Sequence, residues 1–499
     1  MLQLAPFAEF IRMLFKPLTD LLLQYVPLEW VGSLPALTLV VFSILALIIG
    51  MRYNPLLISF VGVILATVEM TVIDPTSSFG GLFVRNAFSD FFIYIILIVG
   101  FLVLMSSTLW GGERGTYNFL LLVSFAGAIW VVMATDLVAL FISWEVMSTP
   151  TYVLAALGPN RGAVDGATKY FVMGLLATML MIFGIALVYG VTGETNLSAV
   201  AMVVQSVWVS GPSASPAAYT LMLAMILFVF SFGFKVGIFP GWMWVPDTYS
   251  TADGSVTAYL AGATKKAGVS ALIRILMVAF IVARLEWGFL IAIVSALTML
   301  IGNVLALAQR NIMRMLAYSS IAMMGYLLMG IAAGTQFGAA AAMFHAFTHA
   351  LMKSAAFILI WAISIRMAKE ITYDDLAGLS QRAPFASAML GLLITALMAV
   401  PFPPTVTFWS KLFLFQSAWD VGLWWLVLFG LMNTVLSWGY YYRVLKYCYW
   451  VEPKDTTKLV LPRVPMLAVA LCVAAIMLLF FNTDVIFQYA FEAATGIIP

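Results

Sequence analysis

Six basic residues stand inside long apolar runs of this 499-residue chain: Lys235, Lys265, Lys266, Arg274, Lys353 and Lys411. Each charge kept in an apolar span costs about 2.5–3.5 kcal/mol on insertion scales, so a set of this size implies a use or a partner. An amine held away from water can pass its proton to a neighbouring carboxylate, hydroxyl or imidazole. The chemistry suited to these residues is proton exchange along a path through an apolar body. Residues 231–266, SFGFKVGIFPGWMWVPDTYSTADGSVTAYLAGATKK, concentrate it. A first apolar arm carries Lys235, and a second carries Lys265 and Lys266. Between them, Pro240 and Pro246 each remove a helical hydrogen bond and are expected to free the carbonyls of Val236 and Trp242. Asp247 and a Ser/Thr/Asp/Gly run follow. The plain alternative is snorkelling near helix ends. Lys235 lies too deep in its run for that, whereas Lys266 fits either reading.

Acids are scarcer inside the runs, with Glu69 and Glu145 as the two expected there. Glu69 is five residues from Asp74 and reads as interfacial. Glu145 is mid-run in DLVALFISWEVMSTPTY. His345, His349 and Lys353 recur at i, i+4 and i+8 and so share one helical face. No acidic ligand or HExxH pattern accompanies them, which favours a polar stripe across a bilayer over a metal site. In MAVPFPPTVTFWSKLFLF, Pro401, Pro403 and Pro404 interrupt a run and Lys411 follows. Two proline-broken helices that both carry a lysine suggest an internal repeat with ion sites at the breaks.

The elements that position these residues are membrane helices. The chain is 64% hydrophobic and 9% charged, with mean hydropathy +1.05, against roughly 25% charged in a soluble domain. Runs of spanning length, about 17–25 residues, fall at 34–51, 56–73, 88–108, 116–133, 134–157, 168–191, 218–240, 253–283, 287–308, 312–333, 337–366, 384–414, 421–447 and 462–481. The fold class is therefore an all-α polytopic membrane protein of about fourteen helices. The fourth and fifth runs are divided only at Asp136. Fourteen Lys and Arg fall in the loops after odd-numbered helices and four on the other side, in loops and N-terminal segment together. By the positive-inside rule both termini face outward. Residues 1–33, with Arg12, Lys16, Asp20 and Glu29, read as an amphipathic interfacial segment rather than a cleaved signal peptide. Two cysteines and two histidines exclude a four-Cys iron–sulfur site and argue against structural zinc. The net charge of +2 gives no reason to expect nucleic acid as a partner.

Several of these stretches resemble the antiporter-like subunits of respiratory complex I and of multisubunit, Mrp-type cation/proton antiporters. The resembling motifs are DLVALFISWEVMSTPTYVL, FKVGIFPGWMWVPDTY, AQRNIMRMLAYSSIAMMGY, HALMKSAAF and PFPPTVTFWSKLF, which cover most of residues 115–415. The resemblance implies inverted five-helix repeats, helices 4–8 and 9–13, each containing a broken helix, 7 or 12. The resulting division is 1–33 as interfacial segment, 34–115 as helices 1–3, 116–283 and 284–447 as the two repeats, and 448–499 as helix 14 and the C-terminus. It implies a proton path in which Glu145 pairs with Lys235, Lys265 is the central relay and Lys411 the exit. His345, His349, Lys353, Lys266 and Asp247 support it.

Lys411 and the short C-terminus suit the N-type among L-, M- and N-type subunits, although the His345/His349 stripe is more like the L- and M-types. The loops are similar to the version found in methanogens that oxidises a reduced deazaflavin coenzyme. The chain would hold no cofactor or metal. Flavin, iron–sulfur clusters and a quinone or phenazine would sit in partner subunits, which include a peripheral redox arm and homologous L- and M-type subunits in a prokaryotic or archaeal cell membrane. The alternative is a subunit of a sodium/proton antiporter. One departure stands out. Ala252-Asp253-Gly254-Ser255-Val256 replaces the pattern Ala-Pro-x-Pro-Val and leaves the shape of that segment open.

Overall fold

The computed structural model describes residues 24–497 apart from 160–161, 210–214, 404 and 454, together with 9, 13, 16 and 17. Arg12, Asp20, Arg161, Pro404 and Lys454 lie outside the described residues, as does most of the proposed interfacial segment. Fourteen helical units follow in order. They are α1 (Leu34–Gly50), α2 (Leu56–Val72), α3 (Ala87–Ser106), α4 (Arg114–Met133), α5 (Leu137–Ala156), α6 (Ala163–Thr192), α7 (Pro216–Val236, continued by Trp244–Thr251), α8 (254–279), α9 (Arg284–Leu307), α10 (Ile312–Ala332), α11 (Gln336–Met367), α12 (Pro384–Met398 and Val406–Asp420), α13 (Trp424–Trp450) and α14 (Arg463–Phe481). A short helix, Leu197–Val209, joins α6 to α7, and Thr483–Thr495 closes the chain. By length and apolarity alone, ten helices among the described residues can cross a membrane. The other four units, α2, α8, α12 and α13, are short, interrupted or more polar.

Loop contacts support the alternation of these units. Gly50, after α1, packs on Gly115 at the start of α4. Lys169 of α6 and Arg314 of α10 both bind Asp247, and Arg382 approaches Asp455. The basic loops thus gather at one end of the bundle.

Local chemistry sets the boundaries. Asp136 divides α4 from α5 as an N-cap, its Oδ1 accepting from the N–H groups of Val138 and Ala139 at 2.8 and 3.0 Å. The first half of α7 ends where Gly237 turns left-handed at φ +75°. Its N–H and that of Ile238 return to the carbonyl of Gly233 at 2.8 and 2.9 Å, a closure open to glycine. Pro246 does not break the chain as expected. It sits in the first turn of Trp244–Thr251, where a missing N–H is tolerated, and Val245 N–H takes the Trp242 carbonyl at 3.0 Å. In α12 the break falls between Met398 and Val406, around Pro401 and Pro403. The run over 253–283 is less regular than expected, because π turns at Leu260–Thr264 and Ile275–Ala279 flank the segment Lys265–Arg274.

Acids within the helical bundle are more numerous than Glu69 and Glu145. Asp90 and Asp253 are buried too. Glu69 lies in the last turn of α2 and faces into the bundle. It is 4% exposed, and Thr38 Oγ1 donates to it at 2.7 Å, because α1 covers this end of α2. Beside it, Arg85 donates to Asp90 at 3.0 Å and to the carbonyls of Met70 and Ile73 at 3.0 and 2.5 Å. One guanidinium therefore fastens the C-terminal end of α2 to the first turn of α3. Breaking a buried pair costs about 3–5 kcal/mol, because the partner is left charged and unmatched. Arg85→Met is expected to lower the protease-resistant protein in membranes severalfold, and Arg85→Met/Asp90→Leu less so. Quantitative immunoblotting of both variants checks this.

Candidate functional site

The buried amines are solvated one by one by hydroxyls, imidazoles and carbonyls from neighbouring helices. Lys235, in the last turn of the first half of α7, is fully buried. Its Nζ donates to Tyr170 OH of α6 at 2.6 Å and to Ser148 Oγ of α5 at 3.0 Å. Tyr170 shares a further hydrogen bond with Thr151 Oγ1 at 2.9 Å and stacks on Trp244. Glu145 is one turn before Ser148. Its Oε1 accepts from Thr178 Oγ1 at 2.7 Å.

The implied Glu145–Lys235 ion pair is absent from the ion pairs among the described residues. Thr178 engages the carboxylate, and Ser148 and Tyr170 engage the amine. The two charges remain within electrostatic reach, linked through Ser148 and one turn of α5.

Lys265 and Lys266 are adjacent and both fully buried, yet they serve different neighbours. Lys265 Nζ lies 5.2 Å from the centre of the Tyr249 ring and 3.4 Å from Ser320 Oγ. A Cβ at Gly237 would come within 3.1 Å of the same Nζ, so this amine rests against the break in α7. Lys266 Nζ donates to the Ala261 carbonyl at 2.9 Å and lies 2.6 Å from His349 Nδ1. His349 Nε2 is 3.4 Å from Ser320 Oγ. Ser320 and His349 thereby join the two lysines.

Beyond His349 the line continues along α11 and α12. His345, a turn away, has its ring centre 6.3 Å from that of His349, and its Nδ1 lies 2.9 Å from Ser410 Oγ. Next in sequence is Lys411, 2% exposed. Its Nζ lies 3.9 Å from the centre of the Tyr326 ring and donates to Thr434 Oγ1 at 3.3 Å. Lys353 forms a branch, donating to the Leu316 carbonyl at 3.0 Å and to Ser319 Oγ. Arg274 is buried apart from this line and donates to the Val132 carbonyl at 2.8 Å. Among the described residues, no carboxylate lies within ion-pair distance of Lys265, Lys266 or Lys353. No group of three His, Cys, Asp or Glu is placed to hold a metal ion among them.

Known proteins share this fold. Residues 134–437, which contain every amine of the line, match the family described as "NADH:quinone oxidoreductase/Mrp antiporter, TM". The chain belongs to this family. The F(420)H(2) dehydrogenase subunit N of Methanosarcina mazei is 32% identical over 446 residues, covering 87% of each chain. The NADH-quinone oxidoreductase subunit N of Trichlorobacter lovleyi is 36% identical over 381 residues, 75% of this chain and 76% of that one. A chain of respiratory complex I from Thermus thermophilus superposes with TM-score 0.77 at 25% identity, covering 91% of this chain and 98% of that one. A chain of the Mrp complex from a Dietzia species shares the fold, with TM-score 0.83 at 20% identity and coverage of 95% and 98%.

Within this family member, the hydroxyl partners went unassigned in the sequence. Ser319 and Ser320 lie in the LAYSSI motif, which could have marked them. Tyr170 and Thr434 carry no such signal, because only packing brings them to an amine, and the same holds for Thr178 beside Glu145.

Asp247 does not touch the line. It accepts from Lys169 Nζ at 2.6 Å and from Arg314 Nη1 at 2.8 Å, clamping α6, the second half of α7 and α10 together. Burial pushes its carboxyl up, but the hydrogen bonds and charges of Lys169 and Arg314 outweigh this and hold it below its ordinary value. A depressed carboxyl stabilises the fold above the unfolded value, about 3.9. That stabilisation is lost as pH falls through the folded one. Asp247→Asn is expected to lower the thermal midpoint of the detergent-solubilised protein at pH 7. Its difference from wild type should shrink below about pH 4, as scanning fluorimetry across pH would record.

Proposed function

We propose that this chain is the N-type antiporter-like subunit of a complex I-type oxidoreductase and moves protons across the membrane while partner subunits carry out the redox chemistry. The observation that carries this reading is the set of buried amines: Lys235, then Lys265 joined through Ser320 and His349 to Lys266, then His345, Ser410 and Lys411. Glu145 stands beyond the Lys235 end. A proton passes from site to site when the hydroxyls and imidazoles between amines reorient, so the titrating unit is the coupled set rather than any one residue. The two ends fall in the proposed repeats 116–283 and 284–447, with the broken helices α7 and α12 supplying a lysine each. A sodium path would call for oxygen ligands, whereas this line is built largely from amines and imidazoles with serine hydroxyls among them.

Partner subunits follow from Glu145. It is only half-buried in the isolated chain, on a face with exposed Val138 and Ile142. A carboxylate near the middle of a span does not face lipid, so a neighbouring membrane subunit covers it, homologous in the manner of the L- and M-types. Flavin, iron–sulfur clusters and a quinone or phenazine belong to the partners and the peripheral arm. The names of the relatives support either an NADH or a deazaflavin donor. In a prokaryotic or archaeal cell membrane the basic loops face the cytoplasm and both termini face outward.

Lys411→Met is expected to cut protons pumped per electron by at least about tenfold, since one lost relay of this kind is worth about 10²–10⁴ in proton-transfer steps. Electron transfer measured with uncoupler should be retained. Parallel proton-uptake and redox assays in membrane vesicles check this, and an unchanged ratio would remove Lys411 from the path. For orientation, cysteines placed at Lys369 or Lys446 should resist an impermeant maleimide in intact cells and react in inverted vesicles.

A further inference from the structure

Asp253 stands outside the line of amines, in the segment where the sequence departs from the pattern it otherwise resembles. It is 1% exposed, although an unpaired aspartate at a helix start ordinarily remains in water. Its Oδ1 accepts from Tyr117 OH at 3.0 Å and from Ser255 N–H at 2.8 Å, which caps α8. A cap alone requires no burial, and asparagine caps equally well.

The surroundings supply a second observation. Ser255 Oγ, Tyr249 OH and Trp361 Nε1 are all buried without a hydrogen-bond partner. Trp361 presses on Gly254, where a Cβ would lie 2.0 Å from its Cγ. Thr257, one turn beyond Asp253, donates to the Tyr249 carbonyl at 3.3 Å. The Tyr249 ring is also the one that faces Lys265 Nζ. Buried polar groups without a protein partner are satisfied by ordered water. On the outer side, Tyr117 stacks on the half-buried Trp110, with ring centres 4.7 Å apart, next to exposed Gly111 and Gly112. Asp253 therefore lies one aromatic layer below the end of the bundle that carries the basic loops. Tyr249 lies between it and Lys265.

We propose that Asp253 is the proton-uptake carboxylate of this chain, loading Lys265 through water held by Ser255, Tyr249 and Trp361. This rests on the reading of the chain as a proton-translocating subunit. The step moves one proton and no other atom: a carboxylic acid and a neutral amine become a carboxylate and an ammonium. The titratable groups that face the path are Tyr117, Tyr249 and Lys265. A carboxylate at the mouth also places a negative charge before a cluster of amines that has none of its own.

Asp253→Asn keeps the acceptor oxygen and the cap but cannot exchange a proton. Membrane content and thermal midpoint should match wild type, while protons pumped per electron fall at least about fivefold, within the range of a lost proton relay. Asp253→Glu should keep pumping and shift the carboxylic-acid infrared band seen on reduction of the complex. A normal proton ratio in Asp253→Asn, with Lys411→Met impaired, overturns this proposal and leaves the broader reading intact. Normal ratios in both variants overturn the broader reading. If Asp253→Asn does not accumulate, Asp253→Glu decides. An unshifted band, or none, overturns the proposal.

Discussion

Every feature of the interior depends on one constraint: amines held away from water need dipoles around them, and the apolar bundle has few charges to offer. A regular helix uses most of its carbonyls internally, so polar contacts for a buried ammonium come mainly from side-chain hydroxyls and imidazoles or from places where the helix is broken. Both sources are used here. Lys265 rests on the Gly237 break of α7. Lys266 takes the carbonyl of Ala261 inside a π turn. Lys235 and Lys411 take tyrosine and threonine or serine hydroxyls. The irregularities in α7 and α8 are thus the solvation shell of the amines.

The scarcity of carboxylates gives this solvation its function. A lysine fixed in an ion pair would hold its proton against transfer. In the proposed proton path, lysines surrounded by hydroxyls and imidazoles can exchange, because a hydroxyl both accepts and donates. Acids are therefore stationed at the margins. Glu145 stands beyond Lys235, and Asp253 lies at the start of α8. Glu69 and Asp90 are gathered around Arg85 on helices outside the line. The ion pairs of Asp247 lie at the end of the bundle, where they clamp helices away from the line of amines.

Much of this was legible in the residues. Apolar runs and basic loops fixed the number and alternation of helices, since a miscount would have scattered the basic residues over both ends. Lysines inside the runs, and the i, i+4, i+8 spacing of His345, His349 and Lys353, marked the line itself. What escaped depends on three-dimensional packing. Pro246 looked like a break because proline removes a hydrogen bond, but its place in a first turn makes the loss harmless. The cover that α1 gives Glu69 through Thr38 left no mark in the sequence. The π turns of α8 leave no mark in hydropathy. Among the hydroxyl partners, Ser148, Ser319, Ser320 and Ser410 sat within motifs, whereas Tyr170 and Thr434 did not.

The adjacent pair Lys265 and Lys266 illustrates why the irregular backbone matters. On a regular helix, neighbours in sequence point about 100° apart and cannot serve one path. Here the π turn at 260–264 ends immediately before the pair, and its widened backbone leaves the Ala261 carbonyl to Lys266. Lys266 then reaches His349 while Lys265 leans to Ser320 and Tyr249. Because Ser320 lies 3.4 Å from both Lys265 Nζ and His349 Nε2, a small rotation of one serine hydroxyl suffices to favour one contact or the other. Hydrogen bonds weaken steeply with length and misalignment, so these two long contacts are the easiest in the line to break and remake. The central serine, rather than either lysine, is therefore where the two halves of the line can be joined or separated at least cost in packing.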